Sequence, residues 1–383
     1  LVIEQTDNND IAALMYTAGT TGPPKGVVHT HYSLYINALS FYEYILVHRS
    51  VTLQLKCQAL DPRTLQLNEF TQRVSGIDRE MVSLGALPLS HSFGIAFSNT
   101  GNLVGGKTIL LRWWNVEEAL QAIQRFHITQ MAAVPTMYIQ MLEFPELDKY
   151  DLSSLKDCQC GGAPLPVEVA LKWKKKVGVD IREGWGLTES GATTTGQPGD
   201  LPPKYGSIGK SLLKCNTISI FDQKGRELPV GQQGEIVVKG PTLMKGYWNL
   251  PEETAKTVKN GWLYTGDIGY MDEDGYFYVT GRKKDIIIRG GENVSPVEVE
   301  EVLLRHPAVV EAGVIGIPDA VYGEEIKAFI VIKSDKHISE EELIAYCKNC
   351  LPAFKLPKSV QFMQSLPKNI LGKVLRAELR QLN

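Results

Sequence analysis

The sequence predicts an α/β protein, with a large region of mixed sheets and a β-hairpin subdomain followed by a small α+β domain at the carboxyl end. The chain of 383 residues exceeds the length of one typical domain. Short runs rich in Val, Ile and Tyr also alternate with helical patterns. The strand-like runs are 11–16, 131–134, 217–221, 235–239 and 309–315, and the helical patterns are 116–126, 166–177 and 296–305.

Turn-forming residues in the middle of the chain favour hairpins. The segments 222–225 and 228–231 each combine Gly with Asp or Pro, and strand-like residues flank them. We therefore expect antiparallel strands in this part of the chain.

Two helix starts mark a separate unit in the last quarter. Ser295 and Glu298, with Pro296 at the first helical position, form the pattern of a capping box. Ser339 and Glu342 repeat that pattern. With strands near 309–315 and 326–332, these helices predict a small domain at 284–383, after a large domain at 1–283.

Composition excludes several classes of partner. The net charge is −3, which does not indicate nucleic-acid binding. The sequence has no run of roughly 18 apolar residues, so no transmembrane segment is expected, and no signal peptide pattern is present. We therefore expect a cytoplasmic protein.

Six scattered cysteines favour reduced thiols over a disulfide framework. Cys347-x-x-Cys350 falls in a helical pattern and Cys158-x-Cys160 in a strand-like one, and the second spacing does not suit a zinc knuckle. The remaining two are Cys57 and Cys215.

A glycine-rich segment at 16–26 predicts an anion-binding loop. Its glycines let the backbone approach a phosphate, while its hydroxyls and Lys25 supply donors. It is not a Walker loop, because Pro24 stands where that loop has glycine and Gly26 follows the lysine. Strand-like runs on both sides indicate a loop that joins two strands.

Further motifs follow in order: Pro88-Leu-Ser-His91-Ser-Phe-Gly94, Gly161-Gly162-Ala163-Pro164, Glu183-Gly-Trp-Gly-Leu-Thr-Glu189, Tyr264-Thr-Gly-Asp267, Gly281-Arg282, Gly290-Gly291 and Gly372-Lys373. Together with the loop, this series resembles the adenylate-forming superfamily of acyl-CoA synthetases, luciferases and carrier-protein adenylation domains. The resemblance implies ATP and CoA as substrates, Mg²⁺ as cofactor, and a mobile carboxyl-terminal domain.

The resemblance implies roles for single residues. Trp185 would stack on adenine, Glu189 would bind Mg²⁺, and Thr188 would contact the α-phosphate. His91 would border the acyl pocket. The other nucleotide contacts fall in the phosphate loop (Thr17, Ala18, Gly19, Thr20, Thr21, Gly22, Lys25), in the turn of Gly162, Ala163 and Pro164, and around Trp185 (Glu183, Gly184, Gly186).

The carboxyl-terminal motifs imply ribose binding, catalysis and a hinge. Asp267 and Arg282 would hold the ribose. Lys373 would stabilise the charge that develops when a carboxylate attacks the α-phosphate. Lys284 matches the hinge position, and the Gly290–Gly291 pair matches the segment that lines the route of the CoA thiol.

The expected reaction is conversion of a fatty or aryl acid to its CoA thioester, and a homodimer remains open. An adenylation domain that loads a carrier protein is the nearest alternative. The segment after His91 offers no acidic residue for an amino group, which favours a simple acid. Luciferase-like oxygenation and a non-catalytic nucleotide-binding protein also remain open.

The pattern departs from the family at three places. The resemblance begins only about 15 residues before the loop, so the amino-terminal part of the fold is expected to lie in a longer protein or a separate chain, or to be missing. The stretch 56–81 looks like an inserted surface excursion. Ala18 and Trp185 stand where relatives often have Ser and Tyr.

Overall fold

The protein forms two compact units, each described here by itself. In this computed structural model the described residues are 7–17, 24–46 (backbone alone from 40), 81–199, 201–212, 216–333, 335–369 and 372–382. The first unit comprises 1–219, 237–265 and 272–278, and the second comprises 220–236, 266–271 and 279–383. The α/β class with mixed sheets is confirmed. The second unit includes 220–236 and 266–271, which precede the predicted boundary at 284. That boundary stays a prediction.

The described helices are α1 (His31–Leu46), α2 (Ser92–Leu103), α3 (Val116–Phe126), α4 (Pro135–Leu142), α5 (Val167–Val177), α6 (Pro251–Thr257), α7 (Pro296–Leu304), α8 (Glu340–Lys348) and α9 (Arg376–Gln381). Short 3₁₀ turns lie at Leu147–Lys149, Thr188–Ser190 and Ala353–Lys355.

The described strands are β1 (Ile11–Thr17), β2 (Lys25–Thr30), β3 (Val82–Gly85), β4 (Lys107–Leu110), β5 (Gln130–Ala133), β6 (Asp157–Cys160), β7 (Ile181–Trp185), β8 (Thr195–Gly196), β9 (Lys210–Ser211), β10 (Thr217–Phe221), β11 (Gly234–Lys239), β12 (Gly246–Tyr247), β13 (Val258–Lys259), β14 (Trp262–Met271), β15 (Phe277–Arg282), β16 (Ile287–Arg289), β17 (Glu292–Val294), β18 (Val309–Asp319), β19 (Gly323–Ile332) and β20 (Ser359–Phe362).

A seven-stranded sheet forms the centre of the first unit, in the order β4-β3-β5-β6-β7-β8-β9. The strands from β4 to β7 are parallel, and β8 and β9 are antiparallel additions. Apolar faces of the crossover helices cover the sheet, with Trp173 of α5 and Ile123 of α3 fully buried. Because parallel strands end at one edge, the loops after β3, β5, β6 and β7 lie side by side.

A second sheet in this unit, in the order β1-β2-β12, carries the flanks of the phosphate loop. β1 and β2 are antiparallel, with Thr17 opposite Lys25. The prediction of a loop between two strands is therefore confirmed.

A five-stranded sheet with the path β10-β11-β14-β13, and β15 beside β14, contains the predicted hairpins. The Gly225 N–H donates to the Asp222 carbonyl at 3.1 Å, which closes the predicted turn. Phe221 and Glu227 bridge on either side of it. These pairings confirm the predicted turn at 222–225.

The carboxyl-terminal α+β unit has its own sheet, in the order β17-β16-β19-β18 with β20 parallel to β19. β18 and β19 form a long antiparallel pair from Val309 to Asp319. Helices α7 and α8 pack Val299, Leu303 and Leu343 against this sheet, and all three are fully buried. The prediction of a small unit with these strands and helices is confirmed.

The two predicted capping boxes have opposite outcomes. At α8 the Glu342 N–H donates to Ser339 Oγ at 3.2 Å, and the Ser339 N–H donates to Glu342 Oε2 at 2.8 Å. At α7 the prediction is wrong, because the Ser295 hydroxyl donates to the Thr280 carbonyl and makes no capping hydrogen bond. A longer-range acceptor has displaced the local one, although Pro296 does occupy the first turn.

In the part of the chain that the structure describes, no helix is both long and apolar enough to cross a membrane. Cys158, Cys160, Cys347 and Cys350 are free thiols, and the first three are buried. Burial raises the pKa of the Cys347 thiol to about 11, so this thiol is protonated near neutral pH. Cys57 and Cys215 lie outside the described residues.

We predict that Ser339→Ala lowers the free energy of unfolding by about 1 kcal/mol, because the first turn of α8 loses its acceptor. Urea denaturation followed by circular dichroism measures this change. Ser339→Thr keeps the hydroxyl and is the matched control. Equal stability of the alanine and threonine variants would contradict a capping role.

Candidate functional site

The sequence motifs of the first unit converge on the carboxyl edge of its parallel strands. The segment with His91 follows β3, and the Gly162 turn follows β6. Glu183 and Trp185 end β7, and the 3₁₀ turn of Thr188 and Glu189 comes directly after. Crevices at this edge are the usual ligand sites of open α/β sheets.

His91 has a local structural contact. Its Nδ1 accepts from the Phe93 N–H at 3.2 Å and so caps α2. The next residue, Ser92, places its Oγ 3.4 Å from Thr188 Oγ1. This contact joins the loop after β3 to the turn after β7. A role for His91 at an acyl pocket stays a prediction.

The Gly162–Ala163–Pro164 turn is fixed by Glu183. A Glu183 carboxylate oxygen accepts from the Leu165 N–H at 3.0 Å, and the residue is 8% exposed. Glu183 of β7 therefore holds the residue that follows this turn. The structure assigns Glu183 this supporting contact, and nucleotide contacts from Glu183 or from the turn stay predictions.

The adenine-stacking prediction falls on Trp185, which is half-buried. It packs against a buried cluster that includes Val27, Val238 and Leu263. Neighbouring Gly186 allows a close chain approach, since a Cβ there would lie 2.0 Å from the Ala192 carbonyl oxygen. Gly184 and Gly186 thus keep the Trp185 segment tightly packed on its neighbours, and stacking on adenine stays a prediction.

The Thr188–Glu189 turn is held by a buried histidine. His29 of β2 is fully buried, and its Nε2 lies 2.7 Å from the Thr188 carbonyl oxygen. A carbonyl oxygen can only accept, so Nε2 carries the hydrogen. Nδ1 lies 3.1 Å from Ser33 Oγ. Burial lowers the pKa of His29, with the Thr188 hydrogen bond and the Glu189 charge opposing it.

The Glu189 carboxylate is oriented by a tyrosine. The Tyr247 hydroxyl of β12 donates to Glu189 Oε1 at 2.8 Å, and the Met244 N–H donates to the Glu189 carbonyl at 2.8 Å. Burial and then the Glu189 charge raise the pKa of the Tyr247 phenol, which keeps it a donor. One carboxylate edge is therefore fixed against the β1-β2-β12 sheet.

The phosphate-loop lysine shares the same tyrosine. The Lys25 ammonium lies 5.0 Å from the centroid of the Tyr247 ring and 2.7 Å from Glu253 Oε2. Hydrogen bonds from Lys25 and then Lys256 lower the pKa of Glu253 to about 2. Tyr247 thus links the predicted phosphate-binding and metal-binding groups, Lys25 and Glu189, within one unit.

The flank of the loop is also described at Thr17, whose Oγ1 donates to the Lys25 carbonyl at 3.5 Å. The loop itself, with Ala18, Gly19, Thr20, Thr21 and Gly22, lies outside the described residues, as does most of the 56–81 segment.

The Glu189 carboxylate suits a hard cation that takes most of its ligands from water and substrate. Among the residues that the structure describes, no group of three or more His, Cys, Asp or Glu could hold a metal ion. Mg²⁺ commonly uses one or two carboxylates together with water and substrate phosphates. The single oriented carboxylate of Glu189 therefore fits Mg²⁺ with a polyphosphate better than a dedicated protein cage.

The second unit contains the predicted ribose pair. Asp267 of β14 is 2% exposed, and Arg282 at the end of β15 places Nε 2.7 Å from Asp267 Oδ1. The Gly266 N–H donates to Glu235 Oε1 at 3.0 Å, and the Lys283 N–H donates to the Gly266 carbonyl at 2.8 Å. These bonds hold the middle of β14 against the residues at the end of β15 and just after it.

Lys373 and Lys284 lie in the electrostatic field of this pair. Desolvation lowers the pKa of Lys373 from 10.5 to about 8, and Arg282 adds to the effect while Asp267 opposes it. Desolvation and then Arg282 also lower the pKa of Lys284. The charges of the predicted ribose pair therefore act on the predicted catalytic and hinge lysines of the same unit.

Gly290 and Gly291 form the two-residue turn between β16 and β17. Their φ angles are +60° and +87°, and Arg289 pairs with Glu292 on either side. Positive φ at both central positions defines a type I′ hairpin turn, which glycine adopts without strain. The Gly290 N–H also donates to the Tyr322 carbonyl at 2.8 Å. A role for this turn beside the CoA thiol stays a prediction.

The sequence alone did not indicate His29, Tyr247 or Glu253. Their partners lie far away in sequence, and no local pattern marks those pairings. The one available signal was the polar residue His29 inside the strand-like run 25–30. If that strand is buried, the His29 ring needs a hydrogen-bonding partner elsewhere in the fold.

The mixed α/β fold, with a small α+β unit at the carboxyl end, matches the architecture of adenylate-forming enzymes. Residues 2–248 match the profile of the AMP-binding enzyme family, and residues 298–373 match that of the AMP-binding enzyme C-terminal domain. The chain therefore belongs to the AMP-binding enzyme family.

Named relatives and a solved structure agree with this family. A long-chain-fatty-acid–CoA ligase of Bacillus subtilis is 41% identical over 381 residues, which cover 99% of this chain and 63% of the relative. A feruloyl-CoA synthase of Amycolatopsis is 35% identical, covering 97% of this chain and 70% of the relative. The crystal structure of ATP-bound MatB from Rhodopseudomonas palustris has a TM-score of 0.85 at 33% identity, covering 98% of this chain and 69% of MatB. The chain thus spans less than two thirds of the length of the long-chain ligase.

We predict that His29→Leu lowers the free energy of unfolding by about 1–3 kcal/mol, because Ser33 loses its ring partner and the Thr188 carbonyl loses a buried donor. Chemical denaturation measures the loss. His29→Gln retains an amide donor and should recover part of the stability. Full stability of the leucine variant would contradict the clamping role.

Proposed function

We propose that this protein activates a carboxylic acid with ATP and transfers the acyl group to the thiol of CoA. The observation that carries the proposal is the buried Asp267–Arg282 ion pair at 2.7 Å, whose charges also act on the pKa of Lys373 in the same unit. An ammonium beside a ribose-binding pair is suited to the charge of an α-phosphate.

The first step is acyl-adenylate formation. A carboxylate oxygen of the acid attacks the α-phosphorus, the bond to the β-phosphate oxygen breaks, and pyrophosphate leaves. Lys373 would stabilise the charge on the nonbridging oxygens. The Asp267 carboxylate would accept hydrogen bonds from the ribose hydroxyls, and Arg282 would hold that carboxylate in place. Thr188 and Lys25 would hold the phosphates, and Trp185 the adenine.

The second step is thioester formation. The CoA sulfur, deprotonated, attacks the acyl carbon and AMP leaves with the electrons of the acyl–oxygen bond. Lys284 is the proposed hinge for the change between steps. Glycines at 290 and 291 would leave room for the thiol arm.

Mg²⁺ would be held by Glu189, where it would neutralise part of the triphosphate charge. Tyr247 keeps the Glu189 carboxylate in one orientation. Lys25 would act on the same phosphates from the loop side, after exchanging Glu253 for a phosphate oxygen.

The proposed acid is a fatty or aryl acid, in line with the named activities of the two ligase relatives. A cytoplasmic location and a homodimer belong to the same proposal. The free thiols at 158, 160, 347 and 350 suit a reducing compartment.

An acid-panel assay tests the activity. The protein, in its longest natural form, is incubated with ATP, Mg²⁺ and fatty or aryl acids, with and without CoA, and pyrophosphate is measured. Acid-dependent pyrophosphate and a CoA thioester are expected. Absence of acid-dependent pyrophosphate with every acid overturns the proposal, and adenylate without CoA transfer indicates carrier-protein loading instead.

We predict that Lys373→Ala reduces acyl-adenylate formation about 100-fold or more, because a positioned charge is lost from the transition state. Thioester formation from supplied acyl-adenylate should stay within about twofold, since CoA transfer does not use the ammonium. Single-turnover measurements separate the two steps. Equal losses in both would contradict this division of roles.

A pH profile should report the protonation of Lys373. The ammonium is the useful form and its pKa in the folded protein is about 8. Therefore kcat/KM for adenylation should be full well below pH 8 and fall about tenfold per pH unit well above it. Lys373→Arg keeps a charge throughout, so its residual activity should lack this decline. An identical decline in the arginine variant would assign the pKa to another group.

A further inference from the structure

Residues 367–369 pair with residues 373–375, and these paired residues are called the Lys373 hairpin below. The Lys373 N–H donates to Asn369 Oδ1 at 3.0 Å, and the Asn369 N–H donates to the Lys373 carbonyl at 3.0 Å. The Leu375 N–H donates to the Pro367 carbonyl at 2.9 Å. These bonds fix the shape of the hairpin. Lys368 also pairs with Glu311 of β18, and Val374 packs against a buried cluster that includes Ile315.

Arg376, three residues after Lys373, adds a buried ionic attachment. Its Nη2 lies 2.7 Å from both carboxylate oxygens of Glu300 on α7, and its Nε donates to the Val314 carbonyl at 3.2 Å. Both side chains are 14% exposed. The pair is therefore well shielded from water, where a charge-assisted contact is stronger and more selective in geometry.

Glu300 is itself fixed from a second direction. Its Oε1 accepts from the Val314 N–H at 2.8 Å, so Val314 of β18 binds both members of the pair. Burial raises the pKa of the Glu300 carboxyl, and the charge of Arg376 opposes this shift. Arg376 thus contacts a carboxylate whose position is fixed by both α7 and β18.

The charge of Arg376 acts on the Lys373 ammonium. Arg376 is one of the cations that lower the pKa of Lys373, after Arg282 and ahead of Lys284, and Asp267 acts in the opposite sense. Lys373 and Arg376 carry like charges and repel each other. The Glu300 carboxylate next to Arg376 offsets part of this repulsion. The contact therefore both anchors the hairpin and balances its charge.

We propose that Arg376, held by Glu300, is a positioning residue that sets the Lys373 ammonium for acyl-adenylate formation. The proposal rests on the function proposed above for Lys373. It assigns Arg376 no contact with a substrate. Its effect is to keep the hairpin of Lys373 at a fixed distance from the Asp267–Arg282 pair.

The test compares the two half-reactions in the whole chain with Arg376→Lys, which keeps the charge and loses the planar fork. A displacement of about 1 Å at a reacting group can cost about 100-fold, so adenylate formation should fall by about that factor. The KM for ATP and thioester formation from supplied acyl-adenylate should each change less than about threefold. Glu300→Gln should show the same selective loss, and it carries the test if the lysine variant does not fold.

Arg380→Lys is the matched control. Arg380 lies one turn later on α9, is 41% exposed, and makes a longer contact of 3.6 Å with Asp285. Its adenylation rate should stay within about twofold of the parent. The double variant Arg376→Lys with Glu300→Gln should be no slower than the slower single variant, because one contact is lost in all three.

Unchanged adenylation in both single variants overturns the proposal, and so do equal losses in both half-reactions. Failure of the parent protein to form an adenylate, or full activity of Lys373→Ala, instead overturns the proposed function. The two failures are therefore distinguishable.

Discussion

A buried carboxylate must have a cationic or hydrogen-bonding partner, and in the second unit this requirement falls on Asp267. Arg282 meets it at 2.7 Å, and this contact ties the middle of β14 to the end of β15. Leaving Asp267 buried without that partner would be strongly unfavourable. The surrounding cations can gather because carboxylates lie among them, with Lys284, Lys373 and Arg376 near Asp267, Asp285 and Glu300.

In the first unit, several hydrogen bonds that hold the site residues are made with backbone atoms. His29 donates to a carbonyl, Glu183 accepts from an N–H, and Met244 donates to the Glu189 carbonyl. Backbone groups are present at every position, so these contacts fix a loop without dictating its sequence. The orientation of the loops after β6 and β7 therefore depends on a few buried polar side chains that lie outside those loops.

Local sequence was sufficient for elements whose signals are local. The periodicity at 116–126 and the strand-like run at 217–221 match α3 and β10, and the Ser339 capping box forms as expected. The predicted boundary at 284 separated Asp267 and Arg282 from Lys373, whereas the second unit contains all three residues. The Ser295 box failed because a distant carbonyl competed for the hydroxyl. Contacts such as that between Tyr247 and Glu189, 58 residues apart, depend on tertiary packing that no local pattern records.

The ion pair of Lys25 with Glu253 has a consequence for anion selectivity. Any anion that reaches Lys25 must exchange places with a carboxylate already 2.7 Å away. A singly charged ion gains little by this exchange, since one full charge replaces another in similar surroundings. A polyphosphate brings several charges and can engage the loop amides together with the lysine. We therefore expect the Lys25–Glu253 pair to disfavour singly charged anions at Lys25 relative to polyphosphates.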